Sequence, residues 1–347
     1  MPKPGPRLRL VDVAERAGVS LATASRALAG REGVSEEVAN RVRLVSQELG
    51  YVANPYARTL AGGASSTVGL VVHQVDDPYF SEIAGGVIQV AGEQGLLVQI
   101  CHSGRDPDHE LRQLRHLIAQ RVGIILIAGS GYADPRVEAQ ARHELSAYQS
   151  LGGRVAVIGR HFLGVDAVLP DNTAGGRALG EHLLGLGHRR IAIAAATGGL
   201  TTVLDRLAGV ADALRRHGLA IEDLPVVRAD FTRDGGQIAA EQILREHPDT
   251  TAIIALNDSM AIGVLSTLRA HRIGVPDRIS VVGFNDVSVA ADLAPSLTTI
   301  RLPMTDMGRM VLDLALKPRS KRPRRRSTGH NLVVRDSTGP ARPASAP

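Results

Sequence analysis

Only one cysteine, Cys101, stands among the 347 residues, so no disulfide closes within the chain and no cysteine-based zinc finger forms. A reducing, cytoplasmic compartment is expected. Tryptophan is absent and aromatics make up 3% of the residues, which leaves core burial to Ala, Val, Leu and Ile. No apolar run approaches the roughly 18 residues of a membrane helix. The opening MPKPGPRLRLVDVAERAG lacks the apolar stretch of a secretory signal. A soluble, intracellular protein with no membrane partner is expected. Signs of catalysis are also missing. There is no G-x-S-x-G elbow and no P-loop, and the lysines are Lys3, Lys317 and Lys321. The 12 histidines show no metal-ligand spacing, and His182 and His188 lie six apart. Gly129-Ser130-Gly131 after an apolar run is a weak phosphate-loop pattern that fits an ordinary strand-to-helix turn better. Neither enzyme activity nor a metal or cofactor is expected.

What is present is 44% apolar residues, enough for large cores, in a length that suits two or three domains. The net charge of +5 is unevenly spread. Residues 1–60 carry +3, residues 61–316 carry −6, residues 317–326 (KPRSKRPRRR) carry +7 and residues 327–347 carry +1. Basic ends on an acidic body fit a polyanion partner.

Residues 8–50 read as three short helices. Leu10, Val13, Ala14 and Ala17 share one helical face, and Gly18 breaks the helix. Ser20 suits the N-cap of a second helix from Leu21 to about Leu28, and Ser35 that of a third striped with Val38, Val42, Val45 and Leu49. Helix, glycine turn and a helix opening on small polar residues is the helix-turn-helix pattern. The second helix enters a major groove N-terminus first. Ser20, Thr23 and Ser25 then donate to phosphates and Arg26 pairs with one, while Leu21 and Ala22 meet base edges. A plain helical hairpin with Ser20 as a cap has the same pattern. Residues 54–61 form a marginal helix capped by Asn54, in need of a partner.

From Thr67 onward strands alternate with helices. Strands are predicted at Val68–Val72, Leu97–Cys101, Ile124–Ala128, Val155–Ile158, Ile191–Ala195, Ala252–Leu256 and Ser280–Phe284. Helices such as Ser81–Gln94, Thr173–Gly187 and Asp258–His271 lie between them. The rhythm predicts an α/β core with parallel sheets in two lobes.

The segment LVDVAERAGVSLATASRALAGREGVSEEVANRVRLVSQELGYVANPYARTLAGG resembles the DNA-binding region of the LacI/GalR family of transcriptional regulators. The likeness continues through VGLVVHQVDDPYFSEIAGGV, VLPDNTAGG, LGHRRIAI, DRLAGV, ALNDSMAIG, VPDRISVVGFNDV, LTTIRLP and LVVRDST, in order and nearly end to end. It implies a repressor that binds a palindromic double-stranded DNA operator as a homodimer, with a tetramer left open. A core resembling periplasmic sugar-binding proteins would take a small-molecule effector, a sugar or related metabolite. A regulator gated by a partner protein, or without an effector, is the alternative; a stand-alone sugar-binding module fits less well.

By this resemblance, residues 1–53 are an all-α helix-turn-helix head-piece and 54–66 a hinge helix and linker. Residues 67–338 are the two-lobed core and 339–347 a tail. The first lobe spans about 66–170 and 303–326, and the second about 171–302 and 327–338. Asn54, Arg58 and Leu60 map to hinge contacts with DNA, Leu60 as an apolar wedge between base steps. Three positions depart from the family pattern: Arg9 stands for the usual Thr or Ser cap, Ala29 for Asn, and Ala53 for Pro before Asn54.

The cleft between lobes, at the C-terminal ends of strands, is the expected effector site. Arg206 matches the family's cleft arginine, whose fork suits hydroxyl or carboxylate oxygens; an ion pair with Asp205 is the other reading. Thr202 lies one turn earlier and also suits helix capping. Tyr79 and Phe80, in a loop, suit stacking on a sugar or base, or core packing. Phe231, Asn257 and Asn285 complete the set, with Asp258 read as the N-cap of the next helix. Gln74, Gly159 and Asn285 replace carboxylates frequent in the family, which favours a less polar or anionic effector, or weak sensing. The family resemblance makes 317–326 a solvated variable connection, usually held away from the operator; an auxiliary non-specific DNA contact is the alternative.

Overall fold

The structure, a computed structural model, describes residues 8–28, 30, 32–51 and 65–342. Asn54, Arg58 and Leu60 of the expected hinge, and the substitutions at Ala29 and Ala53, lie outside the described residues. The chain divides into two compact units, Met1–Ser66 and Thr67–Pro347. Among the described residues, no helix is long and apolar enough to cross a membrane.

The first unit holds α1 (Leu10–Ala17), α2 (Leu21–Leu28) and α3 (Glu36–Glu48). Arg9 occupies the cap position of α1 without a side-chain cap bond, and its backbone N–H donates instead to Asp12 Oδ2 at 2.6 Å. That bond satisfies the cap's own N–H, and the first-turn Asp12 N–H donates to the Arg9 carbonyl at 3.0 Å rather than to a cap hydroxyl. Gly18 ends α1 in the left-handed region at φ 66°, where a Cβ is costly. Val13, Ala14, Ala17, Ala24, Ala27 and Val42 form a small core.

The second unit begins with β1 (Thr67–Val72), α4 (Pro78–Glu93), β2 (Leu97–His102), α5 (Pro107–Ala119) and β3 (Ile124–Ala128). Then come α6 (Ala139–Ser150), β4 (Arg154–Ile158) and β5 (Asp166–Leu169). The chain crosses to the second sheet through α7 (Asn172–Gly185), β6 (Ile191–Ala196), α8 (Thr201–Arg216), β7 (Val226–Ala229) and α9 (Arg233–Glu246). It continues with β8 (Ala252–Ala255), α10 (Asp258–Ala270), β9 (Ser280–Asn285) and β10 (Thr298–Arg301). α11 (Met304–Leu316) and β11 (Arg325–Ser327) return to the first sheet, and β12 (Asn331–Val333) closes the second.

The two six-stranded sheets have orders β11-β5-β4-β3-β1-β2 and β12-β10-β9-β8-β6-β7. All pairs are parallel except β10–β12. Three chain crossings therefore join two doubly wound lobes, with helices covering sheets whose central strands are almost wholly buried. This is the α/β core of periplasmic-binding-protein type. β5, β7, β10, β11 and β12 escaped the periodicity reading, being only three or four residues long.

Helix pairs approach through glycines. A Cβ on Gly176 of α7 would lie 2.2 Å from the Arg206 carbonyl oxygen, and one on Gly209 of α8 would lie 2.0 Å from that of Thr173. Any side chain there pushes α8 away from α7, so these glycines set the depth of the helix that carries Arg206.

Candidate DNA interface and interlobe cleft

In the helical unit, α2 turns Ala24 and Ala27 into the core and leaves Leu21, Ala22 and Arg26 exposed, with Thr23 and Ser25 half-buried. Leu21 is 52% exposed, which leaves its side chain free to meet a partner surface. Ser20 Oγ accepts the Thr23 N–H at 3.1 Å and lies 2.8 Å from Thr23 Oγ1. Ser20 therefore caps α2, and one hydroxyl proton of this pair remains free to face a phosphate. The unit presents a short helix with a polar N-terminus, apolar tips and a flanking cation.

In the core unit, the strand ends converge on one cleft. The free space inside it is about 30 Å³, and about 380 Å³ once the solvent-filled mouth is counted, and it is lined by Tyr79, Phe80, Thr202, Arg206, Phe231, Asn257 and Asn285 together. The sequence reading missed His73, Asp77, Arg105 and Ser130 on the same wall. His73 and Ser130 lie just beyond the C-terminal ends of β1 and β3 and Asp77 opens α4, positions that the rule of ligands at strand ends marks out. Arg105 carries a second signal, a left-handed φ of 60° on a non-glycine residue.

Arg206 sits at the floor, 3% exposed. Its Nε donates to Asn172 Oδ1 at 3.0 Å, one terminal nitrogen to the Leu256 carbonyl and the other to Asn285 Oδ1 at 3.1 Å. Its guanidinium carbon lies 3.7 Å from the centre of the Phe284 ring. Gly175 makes room for that ring, since a Cβ there would come within 2.6 Å of it. Burial lowers the Arg206 pKa to about 10, with Tyr79 and Asp258 opposing. Asp205 instead pairs with Arg160 at 2.6 Å, which removes the expected ion-pair reading for Arg206. Two of its five N–H groups stay available to a ligand.

Several expectations need correction. Tyr79 and Phe80 belong to the first turn of α4 rather than a loop, because Asp77 caps that turn by accepting the Tyr79 N–H at 3.0 Å. Phe80 is buried in the main core, while Tyr79 is half-buried with its hydroxyl pKa pushed up to about 12 by burial. Asn257, not Asp258, caps α10: its Oδ1 accepts the Met260 N–H at 2.8 Å and its Nδ2 donates to the Phe231 carbonyl. Asp258 is buried in the first turn, accepting from Thr299 Oγ1 and the Val287 N–H. Thr202 does not cap α8; its N–H donates to Ser130 Oγ at 2.9 Å. Gly159 has no room for a carboxylate, since its Cβ would lie 2.3 Å from the Gly129 carbonyl oxygen.

The 129–131 turn does more than connect elements. Ser130 Oγ reaches α8, the Gly131 carbonyl accepts the Thr201 N–H at 2.9 Å, and Tyr132 bridges Leu200. Arg105 stacks over Phe231 from the opposite lobe at 5.5 Å. These contacts hold the two lobes together across the cavity.

His73 donates from Nε2 to the Ser130 carbonyl at 3.0 Å, so its Nδ1 accepts from Ser103 Oγ. Burial and Arg105 lower its pKa to about 3, keeping it neutral. His161 is the opposite case. Both its nitrogens face acceptors, Glu138 Oε1 at 2.7 Å and the Gly129 carbonyl at 3.1 Å. Burial is the largest single effect and opposes the charge, but the Glu138 bond, the Glu138 and Glu110 charges and the Gly129 carbonyl together outweigh it, and the pKa is raised.

Comparison with known proteins agrees with both units. Residues 9–54 match the model for bacterial regulatory proteins of the lacI family, and residues 181–338 match a periplasmic binding protein-like domain. The HTH-type transcriptional regulator DegA of Bacillus subtilis (strain 168) is 30% identical over 342 residues, covering 95% of this chain and 98% of its own. The transcriptional regulator CelR in its cellobiose complex is 30% identical with a TM-score of 0.69, covering 95% of this chain and all of that one. The lac repressor dimer bound to operator and the anti-inducer ONPF is 25% identical with a TM-score of 0.79, covering 96% and 100%. A helix-turn-helix unit, a two-lobed core with a cleft at its strand ends and relatives matched along nearly their whole length leave one conclusion: this chain belongs to the LacI family of DNA-binding transcriptional regulators and is not an enzyme.

Proposed function

We propose that the protein is a repressor that binds a palindromic operator as a homodimer and is controlled by a sugar-sized metabolite in the interlobe cleft. The observation that carries the effector reading is the convergence of seven separately placed residues, from Tyr79 to Asn285, on one cavity. Arg206, with two N–H groups to spare, and Asn285 bind ligand hydroxyls, and Tyr79 and Phe231 supply apolar faces. Of the cavity's two arginines, Arg105 has acids beside it, whereas Arg206 bonds only neutral acceptors. Asp77 lies 3.7 Å from Arg105, and Asp76 and Asp230 also act on that guanidinium. The acids around Arg105 and the amide and hydroxyl groups of the lining suit a hydroxyl-rich effector, and the unpaired charge of Arg206 also accommodates the anionic one expected from sequence.

At the DNA, α2 enters the major groove. Ser20, Thr23, Ser25 and Arg26 contact the backbone there, and Leu21 and Ala22 contact base edges. Asn54, Arg58 and Leu60 contribute the hinge contacts that the family implies. Ligand binding shifts the population between two lobe arrangements that differ in operator affinity.

Calorimetric titration of the full-length protein against pentoses, hexoses and disaccharides tests the effector reading. Saturable heat with at least one sugar, abolished by Arg206→Lys, is expected. No heat from any of them would favour a regulator gated by a partner protein.

A further inference from the structure

The seven-cation run at 317–326 is a largely exposed connection, as expected from sequence, but it is anchored to the first sheet. Arg324 donates from its backbone and side chain to Asp166 at 2.7 and 3.0 Å, and β11 pairs in parallel with β5. Arg154 reaches the Leu316 carbonyl at 3.2 Å, fixing the end of α11 beside it. The segment is thus pinned at both ends. Between the pins, Lys317, Arg319, Lys321 and Arg322 are exposed, and none of their side chains forms a hydrogen bond or ion pair among the described residues. A shallow concavity of about 110 Å³ opens there, with Arg154, Lys317, Arg319, Lys321 and Arg324 on its wall and Asp166, held by Arg324, as its acid.

Its place in the sheet is informative. The Gly123 N–H donates to the Thr67 carbonyl, and the Arg154 N–H donates to the Gly123 carbonyl. The starts of β1, β3 and β4 therefore lie side by side, with Asp166 at the start of β5 next in order. At about 4.8 Å per strand, the basic segment hangs roughly 15 Å from Thr67. Thr67 is where the chain coming from the helix-turn-helix unit enters the core. The rest of the core, residues 61–316, is net −6, so the +7 is concentrated on the edge of the core that receives that chain.

We propose that residues 317–326 form a phosphate-contacting surface for double-stranded DNA beyond the bases read by α2. Four long, exposed cations with no fixed partner cannot position a small ligand. They suit regularly spaced phosphates, which reward cation density rather than fixed geometry. Protecting the edge strand from aggregation is the simpler use of such charge, but Arg325 and Arg326 on β11 suffice for it. The contact adds affinity and salt dependence, and it leaves sequence discrimination to the head-piece.

The test is fluorescence anisotropy of the full-length protein from 50 to 200 mM NaCl. The probes are a 40-base-pair duplex of arbitrary sequence and an operator chosen by in vitro selection. Lys317→Gln, Arg319→Gln, Lys321→Gln and Arg322→Gln are combined, leaving the pinning residues intact, and thermal melting verifies the fold. The slope of log affinity against log salt should become shallower by about 0.9 for each cation that meets a phosphate. Both probes should weaken while their ratio holds, and Lys321→Glu with Arg322→Glu should weaken them further. Superimposable slopes overturn the proposal. So do superimposable slopes with ATP binding lost in the variant, which would mark a small-anion pocket. A collapsed operator ratio would mean the segment reads sequence, which also contradicts it. If the wild-type protein bound neither duplex, the DNA-binding reading would fall as well.

Discussion

Replacing Arg206 with Met keeps most of the side-chain volume and removes the three hydrogen bonds that this side chain makes. Three acceptors lose their donor: Asn172 Oδ1, the Leu256 carbonyl and Asn285 Oδ1. Each unsatisfied buried acceptor costs about 1–3 kcal/mol, and the stacked cation on Phe284 contributes about 2 kcal/mol more. Against this stands the relief of no longer burying a cation. A pKa lowered from 12.5 to about 10 corresponds to about 3 kcal/mol of that penalty. The two asparagine side chains can rotate to recover part of the loss, so the net destabilisation should be about 3 kcal/mol. Urea unfolding of the full-length protein, followed by circular dichroism, measures it. Arg206→Lys should fall between the two, keeping the charge but satisfying fewer acceptors. An Arg206→Met protein as stable as the parent would refute the reasoning. It would place this arginine with the buried ions whose removal is neutral because desolvation outweighs their bonds.

Other perturbations test the supports around the cleft. Gly176→Ala drives a methyl to 2.2 Å from the Arg206 carbonyl oxygen, so it should cost about 1–3 kcal/mol and weaken effector binding; an unchanged melting temperature would show that α7 and α8 yield freely. Ser130→Ala strips the acceptor from the Thr202 N–H, and hydrogen exchange at that amide should accelerate about tenfold as the lobes part more readily. Glu110 is buried with Oε2 unpartnered and 3.9 Å from His73 Nδ1, near His161 and Glu138, and burial raises its pKa from 4.5 to about 7. Its contribution to stability is complete below about pH 4.5 and lost as pH rises through 7. The advantage of Glu110→Gln over the parent should therefore grow by about 3 kcal/mol across that window, and parallel stability profiles would contradict it.

Much of this architecture was legible because long strands and helices carry strong periodicity. β1, β3 and β6 are continuous apolar runs, as strands buried on both faces must be. β7, β10 and β12 are too short to show a period, and their place depends on partners far away in sequence. The site was legible where one residue carries a motif, as Arg206 does. It was opaque where function comes from position in space. His73, Ser130 and Arg105 look ordinary in the chain and meet only because β1, β3 and the turn after β2 end at the same level. The swap between Asn257 and Asp258 has a local cause. Either side chain can cap a helix, and only the burial of Asp258 against Thr299 decides between them. The basic run showed its charge in sequence but not its anchor, since the bond to Asp166 spans more than 150 residues.

The most direct test of the account is one operator titration with the full-length protein at about 150 mM salt, run with and without each sugar of a panel. A selected palindrome should bind at least about 10³-fold more tightly than a scrambled duplex. At least one sugar should change that affinity by about 5- to 150-fold, and Arg206→Lys should abolish the change. Equal binding of palindrome and scrambled duplex, or a sugar effect that survives Arg206→Lys, would contradict it.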